Sequence, residues 1–490
     1  MRFVFLTCFS LMLASCMPLD TRVTGNEAQP PESAPPKAEI PRVTPAEDRT
    51  PLAPSRTDPR DKTAAPPSLP PEPAATTAVV TAPPQRRQVR RERLTIPECE
   101  KLLVVPDPFG EGLGGRDRDV EALASHLEEA YKSVQGRNIV VLLDGTHNTK
   151  ESRTNIWRLY TLAVNAACDR PQLARYFRGV GTDSLNRVRG GATGNGLDIL
   201  IKDAYLYLAQ TYRPGDRVFL FGFSRGAYAA RSLNGFIEFV GLLDGTRTND
   251  DKDQVNELFG RYNRANDGIA NFEARHRVNL STLKLDYPLY TGDDKVVVEA
   301  IGVFDTVAAL GLSRDDFPDD HRTELYARKG VHALALDEQR NDFRELPFDP
   351  RIRPDQQLIE VWFPGVHGNI GGGYQSGLEL VTLNWMLDEM ANYEIFENLP
   401  VQLNCGDHNC ALAPLRDEFL EKSMFGKMGL HWRRVTPGAT LHGSVMCRMQ
   451  GPLTAPYLAR EPNGRYEPQN LHEPVKDRYE VIPYNCGDAL

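Results

Sequence analysis

Gly222-Phe223-Ser224-Arg225-Gly226 is the segment of this chain best suited to covalent chemistry. It follows the apolar run Arg217-Val218-Phe219-Leu220-Phe221 and precedes Ala227, Ala229 and Ala230. A G-x-S-x-G string between a strand and a helix is a nucleophile elbow. The tight turn forces the serine into strained backbone angles, and only small flanking residues avoid clashing with it. The turn lifts Oγ to the carboxyl edge of the sheet. It also leaves the Arg225 amide as one donor for an oxyanion. A serine hydroxyl is a weak nucleophile at neutral pH and needs a base within hydrogen-bond reach.

In this architecture the acid and then the histidine follow the serine in the chain, each just after a strand. Val298-Glu299-Ala300-Ile301-Gly302-Val303-Phe304 ends in Asp305-Thr306, and Ile359-Glu360-Val361-Trp362-Phe363 leads to His367 in a glycine-rich loop. The reading assigns His367 as base and Asp305 as the carboxylate that orients it. A helix N-cap is the competing role for Asp305. His332, beside Ala333, Leu334 and Ala335 in an expected helix, suits packing better than catalysis. The second oxyanion donor is expected near Gly145, Thr146 or His147, after the first strand. Leu143-Asp144-Gly145-Thr146 also resembles a phosphotransferase strand end. That chemistry needs an Asp two positions before Asp144, where Leu142 stands.

The elements that must position these groups alternate. Strands are expected at 139–143, 217–221, about 297–303 and 358–363. Helices are expected at 154–166, about 197–212, 225–241, 253–272 and 377–392. This alternation specifies an α/β fold with a mostly parallel sheet covered by helices on both faces. The glycine-rich turn 190–196 lacks the Lys-Ser/Thr of a phosphate loop, so no nucleotide is expected there. Past about 395 the alternation fades. The domain reading is a signal peptide over 1–15, a tether over 16–96, a catalytic domain over 97–395 and a cysteine-containing C-terminal extension over 396–490. The segment 312–356, between Asp305 and His367, is a candidate lid by position alone.

The 490 residues carry 57 Lys and Arg against 66 Asp and Glu, a net charge of −9. That balance argues against a nucleic-acid partner, which needs a basic surface. Met1-Arg2 and the apolar run from Phe3 to Ala14 have the form of a secretory signal, too short to span a bilayer as a helix. Leu13-Ala14-Ser15-Cys16 resembles a bacterial lipobox, which makes Cys16 the lipidated residue and membrane anchor. Met17, rather than Asp, resembles outer-membrane sorting, facing the periplasm. Residues 17–84 hold 17 of the 37 prolines, and no aromatic residue lies between Cys16 and Phe109. Such a segment cannot offset its ordering entropy by burial and reads as a disordered tether spanning ~50 Å. The basic run 86–93 reads as a solvated charge cluster. Six further cysteines (Cys99, Cys168, Cys405, Cys410, Cys447 and Cys486) suggest disulfides in an exported chain. Cys405, Cys410 and His408 lack a fourth ligand for zinc, so no metal or cofactor is expected.

Asp144-Gly145-Thr146-His147-Asn148, Gly222-Phe223-Ser224-Arg225-Gly226-Ala227, Gly302-Val303-Phe304-Asp305-Thr306-Val307 and Pro364-Gly365-Val366-His367 with Gly371-Gly372-Gly373-Tyr374 occur in that order. Together they resemble the α/β-hydrolase family of type VI secretion phospholipase effectors over about 137–393. The resemblance implies a Ser-Asp-His hydrolase of acyl esters or phospholipids, with Ser224, Asp305 and His367 as the triad. Ala333-Leu334-Ala335-Leu336-Asp337-Glu338 belongs to the same resemblance without an assigned role. Members often carry an aromatic in place of His147, a Trp in place of Phe304 and Ser-Asp in place of Gly368-Asn369. The export signal is a further departure, because secreted effectors are loaded from the cytoplasm. A lipid-anchored serine esterase of the phospholipase or lipase type is the expected activity. The alternative is a tethered envelope-binding protein that uses the hydrolase scaffold for recognition.

Overall fold

The computed structural model describes residues 117–181, 195–247, 251–264, 286–291, 294–307, 324–348, 356–374, 376–396, 410–415, 431–451, 466–472 and 474–486. The signal segment, Cys16, the tether, the basic run, the turn 190–194, Cys99, Cys405 and His408 lie outside them.

Eight strands form one sheet: β1 (Asn138–Leu143), β2 (Gln172–Phe177), β3 (Arg217–Phe223), β6 (Val298–Phe304), β7 (Lys329–Ala335), β8 (Gln357–Phe363), β9 (Thr440–His442) and β10 (Glu480–Ile482). Their order is β10-β9-β8-β7-β6-β3-β1-β2, and every pairing is parallel. Two short strands, β4 (Leu242–Leu243) and β5 (Leu289–Tyr290), pair apart from it.

Parallel strands buried on both faces read as unbroken apolar runs, and β1 is buried at all six positions. Its side chains divide by alternation. Val140 and Leu142 join a core with α1 (Asp117–Ala130), α2 (Asn155–Ala166) and α7 (Leu378–Met390). Ile139, Val141 and Leu143 join a second core with α3 (Asn195–Thr211), α4 (Arg225–Val240) and α5 (Asp251–Arg264). Helices therefore cover both faces, and the strand ends open onto loops at one edge. This is the α/β-hydrolase arrangement. Among the described residues the remaining helices are α6 (His367–Gly371), α8 (Gly443–Gln450) and α9 (Val475–Arg478).

Two expectations change. His332 lies in β7, not in a helix, and is fully buried. Neighbours on both sides, β6 and β8, supply hydrogen bonds that override the helical propensity of Ala333-Leu334-Ala335. The described part of 312–356 contains this central strand, so that part is sheet core rather than lid. Among the described residues beyond 395, β9 and β10 lengthen the main sheet from the β8 edge. Their three-residue length hid them from periodicity. A disulfide joins Cys447 in α8 to Cys486 beyond β10, and Cys168 and Cys410 are also disulfide-bonded.

Candidate active site

The serine end is built by backbone sterics. Ser224 has φ 59° and ψ −126°, between the last residue of β3 and the first of α4. A non-glycine residue there costs about 1–3 kcal/mol. The turn is closed by Ser224 N–H donating to the Phe304 carbonyl at 3.1 Å, which ties the Ser224 backbone to the residue before Asp305. Gly226 lets the first turn of α4 press on β1. A Cβ there would meet the Leu143 oxygen at 2.2 Å and the Asp144 oxygen at 2.5 Å. Gly222 is equally confined, with the Gly226 oxygen at 2.5 Å from its Cβ position.

Asp305 and His367 come together from the ends of β6 and β8. The imidazole Nδ1 and Asp305 Oδ2 are 2.6 Å apart, with Asp305 fully buried and His367 nearly so. Asp305 takes φ 42°, and its Oδ1 accepts the Ala335 amide at 2.9 Å. The His367 ring packs on Phe223, the neighbour of Ser224, with centroids 4.6 Å apart. Phe343 covers another side edge-on at 4.9 Å. Burial disfavours the imidazolium and pulls the His367 pKa down, although the Asp305 contact opposes this.

Sequence reasoning missed Arg433. Its buried guanidinium straddles the Asp305 carboxylate, Nη1 to Oδ1 at 2.5 Å and Nη2 to Oδ2 at 3.0 Å. Burial alone would raise the Asp305 pKa. The Arg433 charge and the His367 hydrogen bond outweigh it and hold the carboxyl well below the usual range. No local motif marks Arg433, because its partner is 128 positions away.

The string Ala333-Leu334-Ala335-Leu336-Asp337-Glu338 acquires a place here. Asp337 Oδ2 accepts the Gly365 amide at 2.6 Å and the Tyr466 hydroxyl at 2.7 Å. Glu338 Oε2 accepts the His367 amide at 3.2 Å. Glu338 also pairs with Arg340 at 2.8 Å. Burial pushes the Glu338 pKa up, but the Arg340 contacts prevail and lower it. These carboxylates hold the loop that carries the histidine. His332 supports the Asp305-Thr306 strand end instead. Its Nε2 accepts the Thr306 amide at 3.1 Å and its Nδ1 lies 2.9 Å from Glu360. Burial lowers its pKa.

The loop after β1 abuts the serine, since a Cβ on Gly145 would lie 3.1 Å from Ser224 Cβ. The Gly145 amide donates to Asp144 Oδ1 at 2.7 Å, so it is committed and unavailable to an oxyanion. Thr146 differs: its Oγ1 is buried without a hydrogen-bond partner among the described residues. Asp144 is the loop's anchor. Besides Gly145 it accepts Thr154 Oγ1 at 2.6 Å, Tyr176 Oη at 2.7 Å and Asn148 Nδ2 at 3.3 Å. Burial raises its pKa to about 6, and these donors limit the rise. Among the described residues no group of three or more His, Cys, Asp or Glu could hold a metal ion.

Residues 137–389 match the family model described as the catalytic domain of the Tle1-like phospholipase effectors of the type VI secretion system. An uncharacterized yeast protein, YEL023C of Saccharomyces cerevisiae, is 33% identical over 258 residues, which is 49% of this chain and 35% of that protein. Among solved structures, an uncharacterized Pseudomonas aeruginosa protein is 18% identical over 61% of this chain and 50% of its own, with a TM-score of 0.30. A Tle1 effector solved bound to the VgrG spike is 18% identical, covering 49% of this chain and 51% of its own, with a TM-score of 0.25. The chain thus spans about a third of the curated relative and half of each of these two structures. The match to the family model covers more than half of the sequence and takes in the elbow, Asp305 and His367: the chain belongs to the Tle1-like phospholipase effector family.

Proposed function

We propose that the protein is a serine hydrolase that cleaves acyl esters of phospholipids through an acyl-enzyme. The observation that carries the reading is the 2.6 Å Asp305–His367 contact, packed on Phe223 beside the strained Ser224. Ser224 Oγ attacks the ester carbonyl as His367 Nε2 takes its proton. The tetrahedral oxyanion is held by the Thr146 loop and by the Arg225 amide at the start of α4. Collapse breaks the ester C–O bond, and His367 returns the proton to the leaving alcohol. Water then repeats the sequence on the acyl-enzyme. Asp305 keeps Nδ1 protonated throughout and stabilises the imidazolium. Family membership supports a lipid ester as substrate.

The test is fluorophosphonate labelling and a phospholipid and short-ester panel on the full chain in detergent micelles. Wild type is expected to be labelled and to release fatty acid, and Ser224→Ala to do neither. Equal inertness of both proteins would refute the reading.

The same proposal places the protein in the bacterial envelope, anchored at the outer membrane through lipidated Cys16. The lipobox-like Leu13-Ala14-Ser15-Cys16 supports this, and the disulfide Cys447–Cys486 suits an oxidising compartment. Metabolic labelling with an alkyne fatty acid should mark wild type and not Cys16→Ser. Label retained in the variant would sink the anchor.

A further inference from the structure

Asp305 uses every acceptor site it has. Oδ1 takes the Ala335 amide and Arg433 Nη1, and Oδ2 takes His367 Nδ1 and Arg433 Nη2. Arg433 is fixed in turn by the Ala335 carbonyl at 3.0 Å and the Phe343 carbonyl at 2.6 Å, and its side chain has no exposure. A two-point fork of this kind sets both the position and the plane of a carboxylate. It also places a full positive charge against the one negative charge that touches the imidazole. Arg433 lies outside the 137–389 match, in the segment that leads to β9.

Resting on the hydrolase reading above, we propose that Arg433 is a positioning residue of the site. Its fork fixes the plane of Asp305 and cancels part of that charge. His367 therefore stays neutral, and able to accept the serine proton, in mildly acidic solution. An unopposed carboxylate raises the proton affinity of an adjacent imidazole, and a cation behind it reduces that effect. The other charged or titratable groups around the pair are three carboxylates, one arginine and two histidines. Glu338 and Arg340, paired with each other, face His367 from the end of β7. Glu345 lies 4.0 Å from Arg433 Nε and 3.8 Å from His431. His332, buried with its pKa lowered, supports the Thr306 amide, with Glu360 behind it. Arg433 is thus the cation in direct contact with Asp305.

Removing Arg433 moves the acid limb of activity upward by either available route. If Asp305 stays ionised, His367 binds its proton more tightly. If Asp305 protonates, it no longer orients the imidazole until the pH rises.

The experiment is the pH dependence of kcat/KM for a soluble short-chain ester, on full-length wild type, Arg433→Met and Arg433→Lys. Thermal melts and fluorophosphonate labelling at pH 8–9 accompany it. Arg433→Met is expected to shift the acid limb up by about one pH unit or more, as for loss of an opposite charge at contact distance. Arg433→Lys keeps charge without the fork. It is expected to hold the limb near the wild-type position while kcat falls by roughly 10-fold. A folded Arg433→Met with an unmoved limb overturns the charge role. Wild-type kcat in Arg433→Lys overturns the fork, and an acid limb that moves although the charge is kept overturns the charge role, so this variant still tests both parts if Arg433→Met fails to fold. Wild type that is never labelled refutes the hydrolase reading instead, so the two failures are distinguishable.

Discussion

The two halves of the site are held by different forces. Around Ser224 the constraint is backbone against backbone: a positive φ, two glycines with no room for a Cβ, and a strand packed on a helix start. Around Asp305 and His367 it is buried charge: Arg433 on Asp305, Arg340 on Glu338, and carboxylates gripping the amides of 365 and 367. Steric constraint acts over a few ångströms and a few residues. Charge pairing recruits groups from anywhere in the chain, and buried ions are costly unless paired. One half is therefore compact in sequence and the other is dispersed.

The largest effect should come from Ser224. Ser224→Gly is expected to lower kcat/KM by at least about 10⁴-fold. It should also raise the unfolding free energy by about 1 kcal/mol, because glycine accepts the positive φ. Activity is read on esters and stability by denaturant melts. A variant less stable than wild type would show that the elbow stores no strain.

The charged half gives the next effect. Glu338→Gln breaks the buried pair with Arg340 and is expected to cost about 4 kcal/mol. It should also lower kcat, since the His367 amide loses an ionised acceptor. A chemical-denaturation difference below about 1 kcal/mol would mean that charge is not what holds this side. Gly226→Ala is the steric counterpart. Its methyl group would meet two backbone oxygens, and about 3 kcal/mol of destabilisation is expected. If Gly226→Ala melts like wild type, the division of the site into steric and electrostatic halves fails.

This division explains what the sequence made legible. Ser224 was readable because its strain demands small neighbours at fixed spacing. Asp305 and His367 stood out because each follows shortly after the end of a seven-residue strand, β6 and β8. Arg433 was not, since an arginine before a three-residue strand carries no local signal. The helix expected at His332 failed because Ala-Leu-Ala is strand only when β6 and β8 flank it. Gly145 looked like an oxyanion donor by position, and only the Asp144 side chain, folded back onto its amide, shows that it is engaged. Helix ends such as those of α4 and α7 came within two residues, because glycine and capping rules are local.

The smallest effect tests the contrast on like groups. Asp144 and Glu338 are both buried carboxylates, but Asp144 is met by neutral donors and Glu338 by a cation. Burial raises Asp144 to about 6, whereas Arg340 lowers Glu338. Their linkage to stability therefore has opposite signs. The folded state holds the Asp144 proton more tightly than the unfolded chain does, so its contribution is present below about pH 4 and is lost as pH rises toward 6. The Glu338 contribution is present above the ordinary glutamate range and is lost as pH falls through it. Relative to Asp144→Asn, wild type should lose about 2 kcal/mol between pH 4 and 6. Relative to Glu338→Gln, it should gain over the same interval. Melts at four pH values on both variants decide this. Parallel curves would show that neutral donors can replace a cation at this depth, and that the two halves differ in sequence spacing rather than in electrostatics.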